Sequence, residues 1–516
     1  MRFPFVAALS LAAAAPAVCA AQAAAPRAVF RVTLPADSSL THGAPVSGRL
    51  IVFMTATRPR DATARLAPGL DPKEVWVAAR EVAGLAPGAS VDIDADSLAF
   101  PRPFSASPNG RRWVMALLDV DHNANWRPFT PGDLVSAVDS LDAVGNRAAP
   151  TRLALNARIP EPPVPSAPGM EVVEFTSPRL SAFWKRPVVL RMAVALAPDS
   201  EATHTPAGPR FRAVYHIPGW SGGYRQGFTR GRDQIRYMRQ GGERGTVHVF
   251  LDPQFPTGHP VFANSANNGP WADALTRELI PYLERRYRLI PEARARFLTG
   301  HSSGGWATLW LQVSNPDFFG GTWSTSPDPV DFADFTGIDM RPGSRDNLYR
   351  AAGGTPHPFL RMEGRDLATV EDFTRLELVM GPGGQMQSFE AVFSPRGADG
   401  HPLHAFNRQT GALNQSVLRA WAAYDIRALL QRRWAELGPK LRGKLHVMVG
   451  GADTFHLDGP TRRLCGYLRG AGSDATCEIV PGRDHFDLYG AYPAAYPNGL
   501  DYRFGQEMQR TFDASR

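Results

Sequence analysis

The chain has 516 residues, of which 43% are hydrophobic and 10% aromatic, and its formal net charge is +7. This length exceeds the usual size of one domain, so two or three folded units are expected, and glycine and proline are spread without a period, which excludes collagen-like and wholly disordered chains. The positive charge comes from dispersed arginines rather than lysine runs, so nucleic-acid binding is not indicated.

The first twenty residues have the pattern of a secretory signal peptide. Arg2 precedes an apolar stretch at 6–15, and Val18-Cys19-Ala20 places small residues where signal peptidase cuts. We therefore predict cleavage after Ala20 and export to the periplasm or the extracellular space. The apolar stretch is too short to cross about 30 Å of hydrocarbon, so no integral membrane segment is expected. Lipid attachment at Cys19 is the weaker alternative.

Removal of this peptide leaves two cysteines, Cys465 and Cys477. An even number of cysteines in an exported chain predicts a disulfide. Cys465 falls on a predicted helix and Cys477 on the strand after it, and two packed elements can bring the Cα atoms within the roughly 4.4–6.8 Å that a bridge needs. Two unpaired buried thiols are the alternative.

Residues 27–160 are predicted to form an N-terminal β-sandwich domain. Short β-rich runs at Val29–Thr33, Gly48–Met54 and Trp113–Leu118 are separated by Pro, Gly and Asp turns, a spacing typical of that architecture. Residues 161–170 follow as a proline-rich linker, because prolines disfavour regular hydrogen-bonded structure and favour an extended spacer.

In residues 171–516, by contrast, predicted strands alternate with predicted helices. Strand-like runs lie at 211–217, 246–251, 295–299, 321–325, 444–449 and 475–480. Alternation of this kind predicts an α/β fold with a mainly parallel sheet covered by helices. Between the second and third runs, Trp271, Leu275 and Leu279 mark the buried face of a helix that Pro281 should kink.

One long interval departs from this alternation of strands and helices. About a hundred residues separate the runs at 321–325 and 444–449, which is too long for a plain connection. We predict that residues 332–440 form a cap-like insertion over the site, with a merely decorative insertion as the alternative. Within it, residues 376–392 look like a hairpin around Gly381-Pro-Gly-Gly384.

A Gly-x-Ser-x-Gly pattern occurs twice, at Gly219–Gly223 and at Gly300–Gly304. A serine nucleophile in this motif sits on a sharp turn between a strand and a helix, with the helix N-terminus beneath the developing charge. Ser302 follows a strand-like run and precedes an apolar helical one, whereas Ser221 is surrounded by glycines and polar residues typical of a loop. Ser302 is therefore the predicted nucleophile.

The first pattern fits a second role in the same chemistry. Acyl transfer needs backbone N–H groups aimed at the oxyanion, one after the nucleophile and one from an earlier strand-to-helix loop. Ser303 and Trp220 would supply them. An ordinary glycine-rich turn is the alternative interpretation of Gly219–Gly223.

A serine hydroxyl needs a histidine to take its proton and a carboxylate to orient that histidine, in the order Ser, acid, His for this motif. His485 lies in the loop after the last predicted strand and is the candidate base. Asp453 follows the preceding strand at its carboxyl end, where catalytic groups gather, and is the candidate acid. Asp328, after an earlier strand, and Asp458, better suited to capping a helix, are the alternatives.

Together these segments resemble the putative-esterase family of α/β-hydrolases, which includes esterase D-like, feruloyl and acetylxylan esterases, enterochelin esterase and the mycolyltransferases. The resemblance is carried by Tyr215–Gly223, Gly300–Gly305, Asp453 and His485. It extends over about 211–488 and implies an α/β-hydrolase fold and esterase chemistry on an acyl group. Relatives of enterochelin esterase also carry an N-terminal β-domain.

The chain departs from the family pattern in two places. The usual His-Gly start of the oxyanion loop is here His216-Ile-Pro-Gly219, which puts the role of Trp220 in doubt. The insertion at 332–440 lies outside most members' pattern, so the substrate cannot be inferred from better-known relatives.

Two weaker signals concern ligands. Asp119–Asn125 has the alternating oxygen ligands of a calcium loop but lacks the glycine at the sixth position and the closing glutamate, so a polar turn is preferred and no metal is predicted. Trp271 and Trp306 flank the proposed site and are candidates for the substrate pocket, with core packing as the alternative.

The predicted reaction is hydrolysis of a small-molecule or glycan-linked carboxylic ester through an acyl-enzyme on Ser302, without a cofactor. Two alternatives stay open. A secreted peptidase or acyltransferase would use the same site, and a catalytically silent protein would bind an envelope glycan.

Overall fold

A computed structural model of the chain describes residues 27–36, 38–61, 63–142, 144, 149–198 and 208–515. The predicted signal peptide, including Cys19, lies outside the described residues. Among the described helices, none combines the length and the apolar character needed to cross a membrane.

The described part of the N-terminal region contains nine strands. They are β1 (Val29–Thr33), β2 (Val46–Thr55), β3 (Val75–Leu85), β4 (Ser90–Asp94), β5 (Ala99–Phe100), β6 (Arg112–Asp119), β7 (Leu134–Ser136), β8 (Asp139–Leu141) and β9 (Thr151–Arg158), with 3₁₀ turns at Ser38–Leu40, Pro72–Glu74 and Phe104–Ala106. Hydrogen bonds join them into one sheet in the order β4-β1-β9-β7-β6-β2-β3-β5, with β8 paired to β6.

This sheet curves on itself. Arg80 of β3 donates a hydrogen bond to the carbonyl of Asp92 in β4, although five strands lie between β4 and β3 in the sheet. In a flat sheet six strand spacings would hold these two strands about 29 Å apart, so the two ends must fold toward each other. Hydrogen bonding along the described strands is continuous, and the β-sandwich predicted for residues 27–160 stays a prediction.

Twelve strands lie in the described residues of the C-terminal region. They are β10 (Met170–Thr176), β11 (Val189–Ala195), β12 (Arg212–Ile217), β13 (Thr246–Leu251), β14 (Asn264–Ser265), β15 (Gly269–Pro270), β16 (Arg296–His301), β17 (Gly321–Thr325), β18 (Pro358–Met362), β19 (Arg365–Thr369), β20 (Leu445–Gly450) and β21 (Thr476–Val480). Eight of them form the main sheet in the order β10-β11-β13-β12-β16-β17-β20-β21, in which every pair from β13 to β21 is parallel. The six predicted strands are all present in this parallel part.

The described α-helices all lie in this region, and some of them pack on the main sheet. They are α1 (Pro178–Trp184), α2 (Tyr224–Arg239), α3 (Trp271–Ala274), α4 (Ile280–Arg286), α5 (Ser303–Ser314), α6 (Val370–Met380), α7 (Gln385–Phe393), α8 (Gln415–Trp421), α9 (Ile426–Lys440), α10 (Asp458–Gly470) and α11 (Leu500–Ala514), with 3₁₀ turns at Ala293–Ala295 and Phe332–Asp334. Strands β12, β13 and β17 are buried along their whole length, as expected for parallel strands covered on both faces.

The predicted kink at Pro281 takes the form of a π-helical segment. Leu275–Leu279 forms this segment between α3 and α4, directly before the proline in α4. Proline lacks an N–H and clashes with the carbonyl four residues earlier, and a wider turn accommodates both defects.

The hairpin predicted at 376–392 is wrong, because this segment belongs to helices α6 and α7. Thr369 begins α6 with a capping box, in which its side chain accepts from Asp372 N–H and the Asp372 side chain accepts from Thr369 N–H. Gly381 then ends α6 with a φ of 119°, a conformation that favours glycine. The Gly-Pro-Gly-Gly stretch is therefore a connection between helices.

Helix α6 joins the insertion to the N-terminal sheet. Leu376 and Met380 share a buried cluster with Ile51 and Phe53, which lie on the opposite face of β2 from Leu50. Arg49 Nε also donates to Val379 O at 2.9 Å. The insertion thus packs between the two sheets.

A disulfide links α10 to the edge strand β21. It joins Cys465 and Cys477, whose Cα atoms are 5.8 Å apart.

Candidate active site

Ser302 occupies a strained turn between β16 and α5. Its φ and ψ are 59° and −124°, a region that non-glycine residues seldom adopt. Ser302 N–H donates to Thr325 O at 3.0 Å, and Ser302 O accepts from Asp328 N–H at 3.2 Å. These bonds tie the turn to the end of the adjacent strand β17. The serine side chain opens into a cavity.

The glycines of the Gly300–Gly304 pattern permit this turn. A Cβ on Gly304 would collide with the backbone carbonyl of Ile217 at the end of β12, and one on Gly300 would collide with the carbonyl of Gly304. The N-terminus of α5 therefore approaches β12 more closely than any side chain would allow.

His485 and Asp453 are paired beside this turn. His485 Nδ1 and Asp453 Oδ2 are 2.9 Å apart, and both side chains are buried. Asp453 Oδ1 accepts from the N–H of Phe455 at 3.0 Å. Burial raises the pKa of Asp453, but the charge of His485 and these hydrogen bonds outweigh it and lower the pKa below its ordinary value. The carboxylate is therefore set to orient the imidazole.

A second histidine, His301, packs against His485. The two ring centroids are 4.3 Å apart, and His301 Nδ1 lies 3.0 Å from Thr325 Oγ1, which in turn lies 2.9 Å from Tyr489 Oη. Burial and the nearby charge of His485 lower the pKa of His301 well below its ordinary value, so this ring is neutral. Sequence reasoning did not single out His301, because its position in the motif says nothing of its partners.

Ser302 and His485 line the same cavity but, among the described residues, are not hydrogen-bonded to each other. Ser302 Oγ instead lies 3.5 Å from Asp328 Oδ1. The structure therefore brings the predicted base and acid together and places the predicted nucleophile beside them with its hydroxyl turned away.

Asp328, an alternative acid in the sequence analysis, contacts the nucleophile's side of the site rather than His485. Its Oδ2 accepts from Ser303 Oγ at 2.6 Å and from Gln385 Nε2, on α7 of the insertion, at 3.1 Å. Burial raises the pKa of Asp328 to about 6, against the opposing effect of these hydrogen bonds and of His485. The carboxyl thus ties the insertion to the start of α5.

The loop Gly219–Gly223 lies against Ser302. A Cβ on Gly219 would lie 3.0 Å from Ser302 Cβ. Among the described residues, the N–H groups of Trp220 and Ser303 donate to no protein acceptor. Two free donors beside Ser302 are the feature that an oxyanion site requires.

The N-terminal region holds this loop in place. The ring of Trp126 packs edge to face on Trp220 at 5.8 Å, and Arg127 Nη2 donates to Ser221 O at 3.0 Å. On the other side, Trp220 Nε1 donates to Gly383 O of the insertion at 3.0 Å. Sequence reasoning missed these contacts because they join segments about a hundred residues apart or more.

The cavity beside Ser302 has a volume of about 400 Å³. Its lining includes Trp220, Ser302, Asp328 and His485, and the rest is largely apolar. The apolar side chains come from the N-terminal region, the insertion and the loops after β17, β20 and β21: Leu70, Pro72, Pro329, Phe335, Ile338, Leu348, Phe359, Leu360, Val370, Phe373, Leu376, Met386, Phe389, Phe455, Leu457 and Phe486.

The two tryptophans predicted for the substrate pocket do not line this cavity. Trp306 is buried and stacks on Trp310 with ring centroids 5.3 Å apart. Trp271 is buried against Phe255 and borders a different groove. Their burial agrees with the alternative of core packing, since sequence position near a site does not fix the direction of a side chain.

The acidic loop at 119–125 gains a third carboxylate in the fold. Oxygen atoms of Asp119, Asp121 and Asp133 lie within 4.8 Å of one another. Asp119 accepts from the N–H groups of Asn123 and Ala124 at 3.1 and 2.9 Å. These bonds are those of the polar turn preferred from the sequence.

The sequence model of the putative esterase family matches residues 251–438, about a third of the chain, and this match confirms the resemblance seen in the motifs. The matched range contains Ser302 and ends before Asp453 and His485. A search among curated proteins found no match.

Several solved structures are similar at low identity. A ferulic acid esterase is 13% identical, with 66% of this chain and 98% of that chain covered and a TM-score of 0.41. The Staphylococcus aureus fluorophosphonate-binding serine hydrolase FphF is 14% identical, with 66% and 98% covered and a TM-score of 0.39. An S-formylglutathione hydrolase from Agrobacterium tumefaciens is 16% identical, with 68% and 95% covered and a TM-score of 0.37. Likeness at this level adds nothing to the assignment of the site, which depends on the geometry above.

Proposed function

We propose that the chain is an exported serine esterase of the α/β-hydrolase fold, which cleaves a carboxylic ester through an acyl-enzyme on Ser302. The observation that carries this proposal is the opening of Ser302, on its strained turn, into the same cavity as His485, which is paired with Asp453 at 2.9 Å. Nucleophile, base and orienting acid are the minimum set for this chemistry.

In the proposed mechanism the Ser302 hydroxyl first turns from Asp328 toward His485. Its oxygen attacks the ester carbonyl carbon while His485 Nε2 takes the proton, and the Asp453 carboxylate stabilises the imidazolium. The N–H groups of Trp220 and Ser303 donate to the oxyanion. His485 then protonates the leaving alkoxide, and a water molecule repeats the sequence to release the acid and restore Ser302.

The proposed domain organisation follows the sequence boundaries. Residues 27–160 would form the N-terminal β-sandwich domain, 161–170 the linker and 171–516 the catalytic domain, with 332–440 as a cap. Support for a cap comes from Gln385, which contacts Asp328, and from α6 and α7, which wall the cavity beside Ser302. Export rests on the signal-peptide pattern at 1–20, and the disulfide between Cys465 and Cys477 agrees with an oxidising compartment.

The test compares purified mature protein with Ser302→Ala on short- and medium-chain p-nitrophenyl esters. We expect kcat/KM to fall by at least about 10³-fold in the variant, because the nucleophile is lost. Covalent labelling by a fluorophosphonate should also require Ser302. Equal activity in the two proteins would overturn the assignment of the nucleophile.

The same assay addresses the alternative activities. Ester formed with an added alcohol would indicate an acyltransferase, and cleavage of an amide substrate would indicate a peptidase. A protein with no labelling and no turnover would support the silent glycan-binding alternative.

A further inference from the structure

The wall of the cavity beside Ser302 is mostly apolar. Away from the reacting groups it is formed by aliphatic and aromatic side chains, among them Leu348, Phe359, Phe389 and Phe455. Burial of apolar surface against such a wall is favourable by roughly 25 cal/mol per Å². The cavity therefore selects for an apolar group.

The charge of the cavity lining also disfavours an anionic ligand. The chain has 56 lysines and arginines, yet none is among the described residues that line this cavity. The carboxyl of Asp328 is buried in it instead. An anionic substrate would contact no lysine or arginine side chain here, so its desolvation would not be compensated.

Two polar side chains that the insertion places in the wall, Gln385 and Thr336, are already hydrogen-bonded. Gln385 Nε2 donates to Asp328, and Thr336 Oγ1 donates to the carbonyl of Phe335 at 2.7 Å. A hydroxylated group placed deep in the cavity would lose its hydrogen bonds to water without finding partners of similar strength. This disfavours sugar-like and other polar groups in the cavity.

Three separate parts of the chain enclose this space. Leu70 belongs to the N-terminal region, Leu348 to the insertion and Phe486 to the loop of His485. Leu70 and Phe486 are 43% and 55% exposed, so they form an apolar rim that a ligand would cover. Because the alcohol must leave while the acyl group stays on Ser302, an enclosed cavity suits the acyl group.

We propose that this site accepts uncharged esters whose acyl part is a medium-length or bulky apolar group held in the cavity. This inference rests on the proposed esterase function and names its substrate class. A cavity of about 400 Å³ lies within the range of about 300–1,000 Å³ seen for small-molecule sites. An acetyl or formyl group would leave most of this apolar wall uncovered.

The experiment measures kcat/KM of the purified mature protein for p-nitrophenyl esters with acetyl, butanoyl, hexanoyl, octanoyl and decanoyl groups. A buried methylene is worth about 0.8 kcal/mol, which corresponds to about fourfold in kcat/KM, so the value should rise with chain length until the cavity is full. We expect the octanoyl ester to exceed the acetyl ester by at least about a hundredfold. Equal values, or a maximum at acetyl, would overturn the proposal.

Two variants test whether this cavity is responsible. Leu348→Trp fills it and should move the preferred acyl group to a shorter chain. Leu70→Ala removes part of the exposed rim, where folding is little affected, and should lower kcat/KM for the octanoyl ester about three- to tenfold. The matched control is Leu98→Ala, at a leucine of the same region that is 38% exposed and does not line the cavity. Equal effects of Leu70→Ala and Leu98→Ala would contradict the assignment.

Fluorophosphonate labelling separates failure of this proposal from failure of the proposed function. Labelling of Ser302 together with a preference for short acyl groups would overturn the substrate class and leave the esterase intact. Absence of labelling together with no turnover of any ester in the series would overturn both.

Discussion

The two Gly-x-Ser-x-Gly segments of this chain have the same pattern and different surroundings. Both follow a buried strand and precede a helix, and the central serines have similar φ values of 63° at Ser221 and 59° at Ser302. Ser302 is hydrogen-bonded through its backbone to the end of β17 and opens into the cavity that His485 also lines. The carbonyl of Ser221 is instead bonded by Arg127 of the N-terminal region.

The difference shows that the neighbouring strands decide the role of each loop. Parallel strands end at the same edge of the sheet, so β17, β20 and β21 bring Asp328, Asp453 and His485 to the turn after β16. The loop after β12 lies beside Ser302 and also contacts the N-terminal region and the insertion. Four variants test this division, from the largest expected effect to the smallest.

The largest effect is expected at the acid that orients His485. Asp453→Asn should lower kcat by about 10⁴-fold with little change in fold, because the amide favours the wrong tautomer of the imidazole. Steady-state kinetics and a circular dichroism spectrum check this. If Asp328→Asn lost as much kcat and Asp453→Asn did not, the acid would have been assigned to the wrong strand end.

A pH-dependent loss of stability is expected from Asp328. Its pKa is raised to about 6 in the folded protein, so the folded state binds this proton more tightly than the unfolded state. The stabilisation is complete below the unfolded pKa, near 4, and is lost as the pH rises through about 6; it amounts to about 3 kcal/mol.

Asp328→Asn removes this titration. Chemical denaturation of both proteins at pH 4.5 and 7.5 should show a smaller pH dependence of the unfolding free energy in the variant. Other groups titrate in both proteins and contribute equally to the change in unfolding free energy between the two pH values. Subtracting this change in the variant from the change in the unmodified protein therefore isolates the contribution of Asp328. An unchanged pH dependence would mean that the carboxyl is not desolvated by burial.

A moderate effect is expected where the N-terminal region holds the oxyanion loop. Arg127→Ala removes the hydrogen bond to Ser221 O and should lower kcat about tenfold, less than the 10²–10³-fold typical of losing an oxyanion donor, because the donor itself remains. KM should change little. Arg111→Ala, at an exposed arginine of the same region paired with Asp142, is the matched control. A rise in KM alone would assign Arg127 to substrate binding instead.

The smallest effect is expected at the serine of the first motif. No hydrogen bond involves the Ser221 hydroxyl among the described residues, so Ser221→Ala should change kcat/KM by less than about twofold, within the range of surface substitutions. The measurement uses the same esters as for Ser302→Ala. A large loss would show that sequence composition assigned the two motifs wrongly.

Much of the parallel sheet and of the candidate site could be predicted from local pattern. The six strand runs, the nucleophile turn at Ser302 and the pair Asp453 and His485 depend on residues next to strand ends, where local sequence and chain order constrain position. The helices at 376–392 were missed because a glycine-rich connection between two short apolar runs fits a hairpin and a helix pair equally well.

The amino-acid sequence by itself therefore determined the alternation of elements, the order of the catalytic candidates and the presence of an insertion. Only the tertiary structure decided that Asp328 contacts Ser302, that Trp126 and Arg127 contact the loop at Gly219–Gly223, and that Trp306 is core rather than pocket. The physical reason is distance along the chain. Periodicity and turn chemistry act over a few residues, whereas these contacts depend on how whole sheets and helices pack.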